Sequence, residues 1–119
     1  MMHKIEAARI DNPIKDKALL GTKEVWVYSN DTSSKMPHFH YLDRTDDKRF
    51  EVEVNIDDLS ICSATPKKND LMSWKGLEQE RKSLLEWLNR PNSDLPIITN
   101  YVSLKLAWNQ NNCDKPITI

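Results

Sequence analysis

Glycine is scarce in this chain. Only Gly21 and Gly76 occur. Phosphate loops and dinucleotide fingerprints need several glycines close together, so that backbone N–H groups can approach the phosphates. Their absence argues against a P-loop NTPase and against a dinucleotide-binding enzyme. Cysteine is equally scarce: Cys62 and Cys113 stand far apart and form no C-x-x-C. Two reduced thiols are expected. Cys62 falls in an apolar strand pattern and reads as a small buried hydrophobe. Cys113 lies among asparagines, with no obvious activating base. No apolar run is long enough for a signal-peptide core or a membrane span, so a cytoplasmic, non-membrane protein is expected. A charge excess is missing too, with 17 basic and 18 acidic residues and a net charge of -1. Nucleic-acid binders usually carry a basic excess or stripe. Here the densest basic spots, Lys67-Lys68 and Arg81-Lys82, have acidic neighbours, and nucleic acid is not an expected partner.

What is present is an ordinary globular balance, 39% hydrophobic and 29% charged over 119 residues. That length is one domain by the usual size range, and a chain of this size buries roughly 65% of its unfolded surface. A single domain over 1–119 is expected, with 1–22 a possible extension and 23–112 the core. Internal repeats and low-complexity segments are not seen. The first half has strand character. EVWVYS (24–29) alternates Val25 and Val27 with Trp26 and Tyr28 and is β-branched and aromatic. A polar loop leads to Pro37 and then to HFHYL (38–42). DRTDDKR (43–49) is a charged connection of hairpin length. RFEVEVNI (49–56) is the clearest strand: Phe50, Val52, Val54 and Ile56 share one face, and Arg49, Glu51, Glu53 and Asn55 share the other, expected to meet water. Asp57-Asp58 is read as a tight turn before LSICSA (59–64).

The second half changes period. Trp74, Leu77, Arg81, Leu84, Leu85 and Leu88 fall on one helical stripe, with Ser73 as N-cap and Asn89-Arg90-Pro91 as the stop. Gly76 weakens the first turn. After a turn-rich loop, Thr99 or Asn100 caps a second helix with Tyr101, Leu104, Ala107 and Trp108 on its stripe. Strands first and helices second predict an α+β fold, an antiparallel meander of about four strands with two C-terminal helices packed on one face. Three of the four tryptophans lie on the helical segments, where a helix–sheet core accounts for them.

The stretch MPHFHY (36–41) carries two of the three histidines. Alternate residues on a strand share a face, about 6.5–7 Å apart, so His38 and His40 project side by side. A divalent metal (zinc or manganese) is one reading, with further ligands from Asp31, Asp43, Asp46, Asp47, Glu51 or Glu53. Of these, His38, His40 and Asp43 make the leading metal set. The remaining imidazole, His3, sits in an unanchored N-terminal stretch. Acid–base chemistry by one histidine, oriented by Asp43 or Glu51, needs no metal. The bland reading is structural: Pro37 sets the entry to the strand, and the imidazoles hydrogen-bond to backbone or carboxylates.

One resemblance follows from these residues. Tyr28, Ser29, Asn30 and Asp31 end an aromatic strand, and Pro37, His38 and His40 open the next. Trp87 lies within LLEWL, and Trp108-Asn109 falls near the end of the second helix. In this order the chain resembles a family of small prokaryotic proteins, the domain-of-unknown-function family four-one-six-zero. Its members carry a Pro-Pro-His-x-His-Val-like stretch. The resemblance covers roughly residues 23–112. This chain has Met36-Pro37 in place of Pro-Pro, a longer charged connection after the histidines, and about 20 additional N-terminal residues. The resemblance implies a small cytoplasmic protein, often encoded beside another small protein in a toxin–antitoxin-like or regulatory pair. It also marks Asn30, Asp31, His38 and His40 as the matching corner.

The expectation is therefore a binding or regulatory module with a protein partner or a homodimer. The contact would lie at the sheet face of Arg49, Glu51 and Glu53 or at the PHFH corner, and no cofactor is implied. The alternative is a small metal- or histidine-dependent hydrolase or nuclease centred on His38 and His40. The residues leave open whether the protein is an enzyme.

Overall fold

The computed structural model describes residues 20–27, 36–45, 49–65, 74–112 and 116–119. Ser73, Cys113 and the basic pair Lys67-Lys68 lie outside them. Four strands form one antiparallel sheet in sequential order: β1 (Lys23–Trp26), β2 (His38–Asp43), β3 (Phe50–Asn55) and β4 (Ile61–Thr65). A 3-10 turn (Lys75–Leu77) leads into α1 (Glu78–Leu88), and α2 (Asn100–Asn111) follows. The α+β meander with two C-terminal helices is the architecture the sequence pattern predicts.

Alternation sets the two faces. Phe39 pairs with Val54 and Tyr41 with Val52, while Val25 stands opposite Tyr41 across β1. These residues have no solvent exposure and join one apolar cluster with Leu84, Trp87 and Leu88 of α1 and Leu104 and Trp108 of α2. Burial of this kind is the main favourable term in folding. The Tyr41 hydroxyl also donates to the Glu80 carbonyl of α1 at 3.1 Å, tying sheet to helix. Burial, then the nearby Glu80 and Asp43 carboxylates, hold the Tyr41 phenol well above its usual pKa.

Three local differences from the sequence reading have physical causes. The strand expected from Leu59 begins at Ile61, because Leu59 adopts φ 62° in a wider turn. Leu59 N–H donates to Asn55 O, and Asp58 Oδ1 accepts from both Ser60 N–H and Ser60 Oγ. Those two bonds hold the Asp58 carboxyl below its ordinary pKa. Further along, β3 and β4 slip register between Glu53 and Val54, so Cys62 is a bulge residue. It is half-buried rather than buried, and its thiol meets the Glu53 carbonyl at 3.3 Å.

The helix of the second half starts late. Trp74 sits at φ 65°, the 3-10 turn containing Gly76 follows, and the α-helix opens only at Glu78. Arg81 is exposed, and Trp87, outside the predicted stripe, is buried with Leu84 and Leu88. Thr99 is the N-cap of α2: its side chain accepts from Val102 N–H at 3.2 Å, the usual way to satisfy a first-turn donor. Asn100 does something else. Its Nδ2 donates to the Trp87 carbonyl at 2.8 Å, a carbonyl at the end of α1 that also accepts from Arg90 N–H at 3.0 Å.

Candidate functional site

The second face of the sheet carries the histidines. His38, His40 and Leu42 of β2 share it with Glu51, Glu53 and Asn55 of β3 and with Glu24 and Trp26 of β1, as the register requires. All six residues of β2 are buried, and Glu51, Glu53 and Asn55 are half-buried. The row of β3 expected to meet water does so unevenly: the Glu51 side chain is 43% exposed and the Glu53 side chain 15%. Each histidine reaches diagonally across to one of these carboxylates.

His38 Nδ1 lies 2.8 Å from the Met36 carbonyl. A carbonyl only accepts, so Nδ1 carries the hydrogen. His38 Nε2 then faces Glu53 Oε1 at 3.6 Å, a contact that becomes an ion pair when the ring is protonated. His40 Nδ1 lies 2.9 Å from Glu51 Oε2, so there too Nδ1–H donates, now to a carboxylate. The two imidazole centroids are 5.2 Å apart, and the Trp108 ring of α2 lies 5.5 Å from His38. His38 is 1% exposed and His40 5%. Pro37 holds the strand entry, its carbonyl accepting from Ile56 N–H at 3.0 Å.

Of the residues singled out from the sequence, the structure brings together His38, His40, Glu51 and Glu53. Asp43 is not among them. As an odd-numbered residue of β2 it lies on the opposite face, and its carboxylate is engaged elsewhere. Oδ1 accepts from Thr45 N–H at 2.9 Å and from Thr45 Oγ1 at 2.8 Å, and Oδ2 accepts from Thr22 Oγ1 at 2.9 Å. Burial opposes ionisation of Asp43. The bonds from Thr45 and Thr22, together with the Lys23 charge, outweigh it, and the carboxyl is held below its ordinary pKa. Asn30, Asp31, Asp46, Asp47 and His3 lie outside the described residues. Among the described residues no group of three or more His, Cys, Asp and Glu side chains is arranged to hold a metal ion. What the cluster can do chemically is orient an imidazole: Glu51 fixes the His40 tautomer and leaves Nε2 as the basic nitrogen.

Arg49, expected on the same open row, is exposed and donates to the Arg44 carbonyl at 3.3 Å. Sequence reasoning missed Trp26, opposite His40, whose Nε1 donates to Glu24 Oε1 at 3.0 Å. Its place in an alternating strand is the one signal for that.

A second feature stands away from the histidines. Residues 91–99, between the helices, form a tightly bonded loop. Pro91 and Thr99 make an isolated antiparallel bridge, Asn92 N–H donates to Ile98 O at 2.8 Å, and Ile98 N–H donates to Leu95 O at 3.1 Å. Asn92 Oδ1 accepts from Asp94 N–H and Leu95 N–H, and Asn92 Nδ2 donates to Asn100 Oδ1. This ordered backbone holds two aliphatic side chains in water, Leu95 at 47% and Ile97 at 87% exposure. The sequence signals only a turn-rich connection here.

Among the described residues no helix is long and apolar enough to cross a membrane. No family model, no curated protein and no solved structure matches the chain.

Proposed function

We propose that the protein is a small binding or regulatory module that acts through a protein partner, engaged at the loop of residues 91–99. The observation that carries this reading is Ile97, 87% exposed on a loop whose backbone is pinned at both ends. Loops carry binding function when a rigid scaffold positions them. Ordering a flexible loop on binding is costly, and this loop is already ordered. Leu95 and Ile97 would seat in an apolar pocket of the partner. The histidine corner supports the same division of labour. Its imidazoles are buried and engaged with Glu51, Glu53 and Met36, so they shape the scaffold and present no surface. A cytoplasmic site of action and a toxin–antitoxin-like pairing belong to the same proposal, through the missing long apolar run and the resemblance carried by His38 and His40. Replacing Ile97 with Asp tests it. The variant should keep the wild-type Tm and lose at least tenfold in affinity for the co-purifying partner. A partner held equally well by both proteins would sink the assignment of the loop.

A second reading, a small histidine- or metal-dependent hydrolase or nuclease, draws on the 2.9 Å contact of His40 with Glu51, which orients an imidazole as a general base. Zinc and manganese content of the purified protein, beside a His38→Ala/His40→Ala double variant, tests the metal form. Stoichiometric metal lost in the folded variant would favour this reading. Equal, negligible metal in both would remove the metal form.

A further inference from the structure

Asn109, on α2, grips both backbone groups of one distant residue. Its Nδ2 donates to the Ile117 carbonyl at 2.9 Å, and the Ile117 N–H donates to Asn109 Oδ1 at 2.7 Å. In an antiparallel sheet two paired residues exchange N–H and C=O in this way. Here a side-chain amide stands in for the neighbouring strand. The contact reads backbone, not side-chain identity. Selectivity comes from the next observation. Ile117 is half-buried against the apolar core cluster, while Pro116, Thr118 and Ile119 are exposed. One β-branched side chain is inserted, and its neighbours point to water.

Backbone bonds for affinity and a pocket for one side chain for specificity are the two parts of extended-peptide recognition. We propose that the Asn109 surface of α2 is a docking site for an extended peptide carrying a β-branched aliphatic residue, and that residues 116–119 occupy it in cis as a displaceable strap. A partner segment of that chemistry would exchange with the strap. The inference goes beyond the partner-binding reading and does not use the loop of residues 91–99, so either can fail alone.

The test compares the intact chain with a chain ending at Asp114. The probe is an acetylated, amidated peptide of the sequence Lys-Pro-Ile-Thr-Ile, followed through the Asn109 side-chain NH2 and Trp108 indole resonances. The shortened chain should bind it saturably. Affinity should fall at least tenfold when Asn109→Ala is introduced into the shortened chain, because both backbone bonds go at once. It should also fall at least tenfold in the intact chain, where the strap competes at high effective concentration. A peptide with Asp in place of its first Ile should not bind. Asn109→Asp, which loses the donor and keeps an acceptor, replaces the alanine variant if that one unfolds. Equal binding with and without the Asn109 change would overturn the proposal, as would equal binding to the intact chain. A shortened chain that shows no saturable shift, or that no longer folds, would show the segment to be part of the core and would overturn it too.

Discussion

Asn100 and Asp43 show how single polar side chains carry this structure. Asn100 is 5% exposed, and its amide links the Trp87 carbonyl to Asn92. Replacing it with Ala removes the bonds to the Trp87 carbonyl and to Asn92, while Arg90 N–H still donates to that carbonyl at 3.0 Å. At about 0.5–1.5 kcal/mol each, the two bonds are together worth about 1–3 kcal/mol. Urea unfolding of Asn100→Ala should show a loss of that size. Asp43 acts through pH. Its folded pKa is depressed, so the unfolded chain takes up the proton first. Its stabilisation is fully present above the ordinary carboxylate pKa, about 3.9, and is lost as pH falls through the lower folded value. In Asp43→Asn, stability measured by urea titration should therefore fall less steeply below about pH 4 than in the wild type. An identical acid limb in the two proteins would show that Asp43 is not the titrating group.

At the scale of elements, the start of the second half is the most constrained. Trp74 holds a left-handed backbone, a conformation costing roughly 1–2 kcal/mol for a residue with a Cβ. Its indole Nε1 donates at 2.9 Å to the carbonyl of Leu59, among the described residues the other non-glycine residue at positive φ, and the ring is buried. Both Trp74→Ala and Trp74→Gly lose that packing and should cost about 3–5 kcal/mol. The glycine variant should be the less damaged by roughly 0.5–1 kcal/mol, against the usual order, because it adopts positive φ without strain. Chemical denaturation of the pair checks this. The same region shows where the sequence was legible and where it was not. Alternation in RFEVEVNI located β3 and its buried face, and the cap of α2 was narrowed to Thr99 or Asn100, of which Thr99 serves. The delayed start of α1 and the late start of β4 were not legible. Both depend on a left-handed residue held by a tertiary bond between Trp74 and Leu59, and no local pattern encodes that. The shared strand face of His38 and His40 followed from spacing alone. Their choice of Glu51 and Glu53 over Asp43 followed from cross-strand register, which spacing within one strand does not contain.

For the molecule as a whole, the sheet divides two kinds of chemistry. One face is apolar, with Phe39, Tyr41 and Val52 in the core, and is tied to α1 by the Tyr41 hydroxyl. The other is a polar seam of paired imidazoles and carboxylates, closed at one end by Trp108. Function, on this account, lies on neither face. It lies at the margin, where the connection between the helices holds Leu95 and Ile97 in water. The most direct measurement places a photo-crosslinking residue at position 97 in the intact protein in cells, with a second version at the exposed Lys82 of α1 as reference. A single protein captured from position 97, absent from position 82 and lost on Leu95→Asp, is the predicted result. The same proteins captured from both positions would contradict a binding role for the loop.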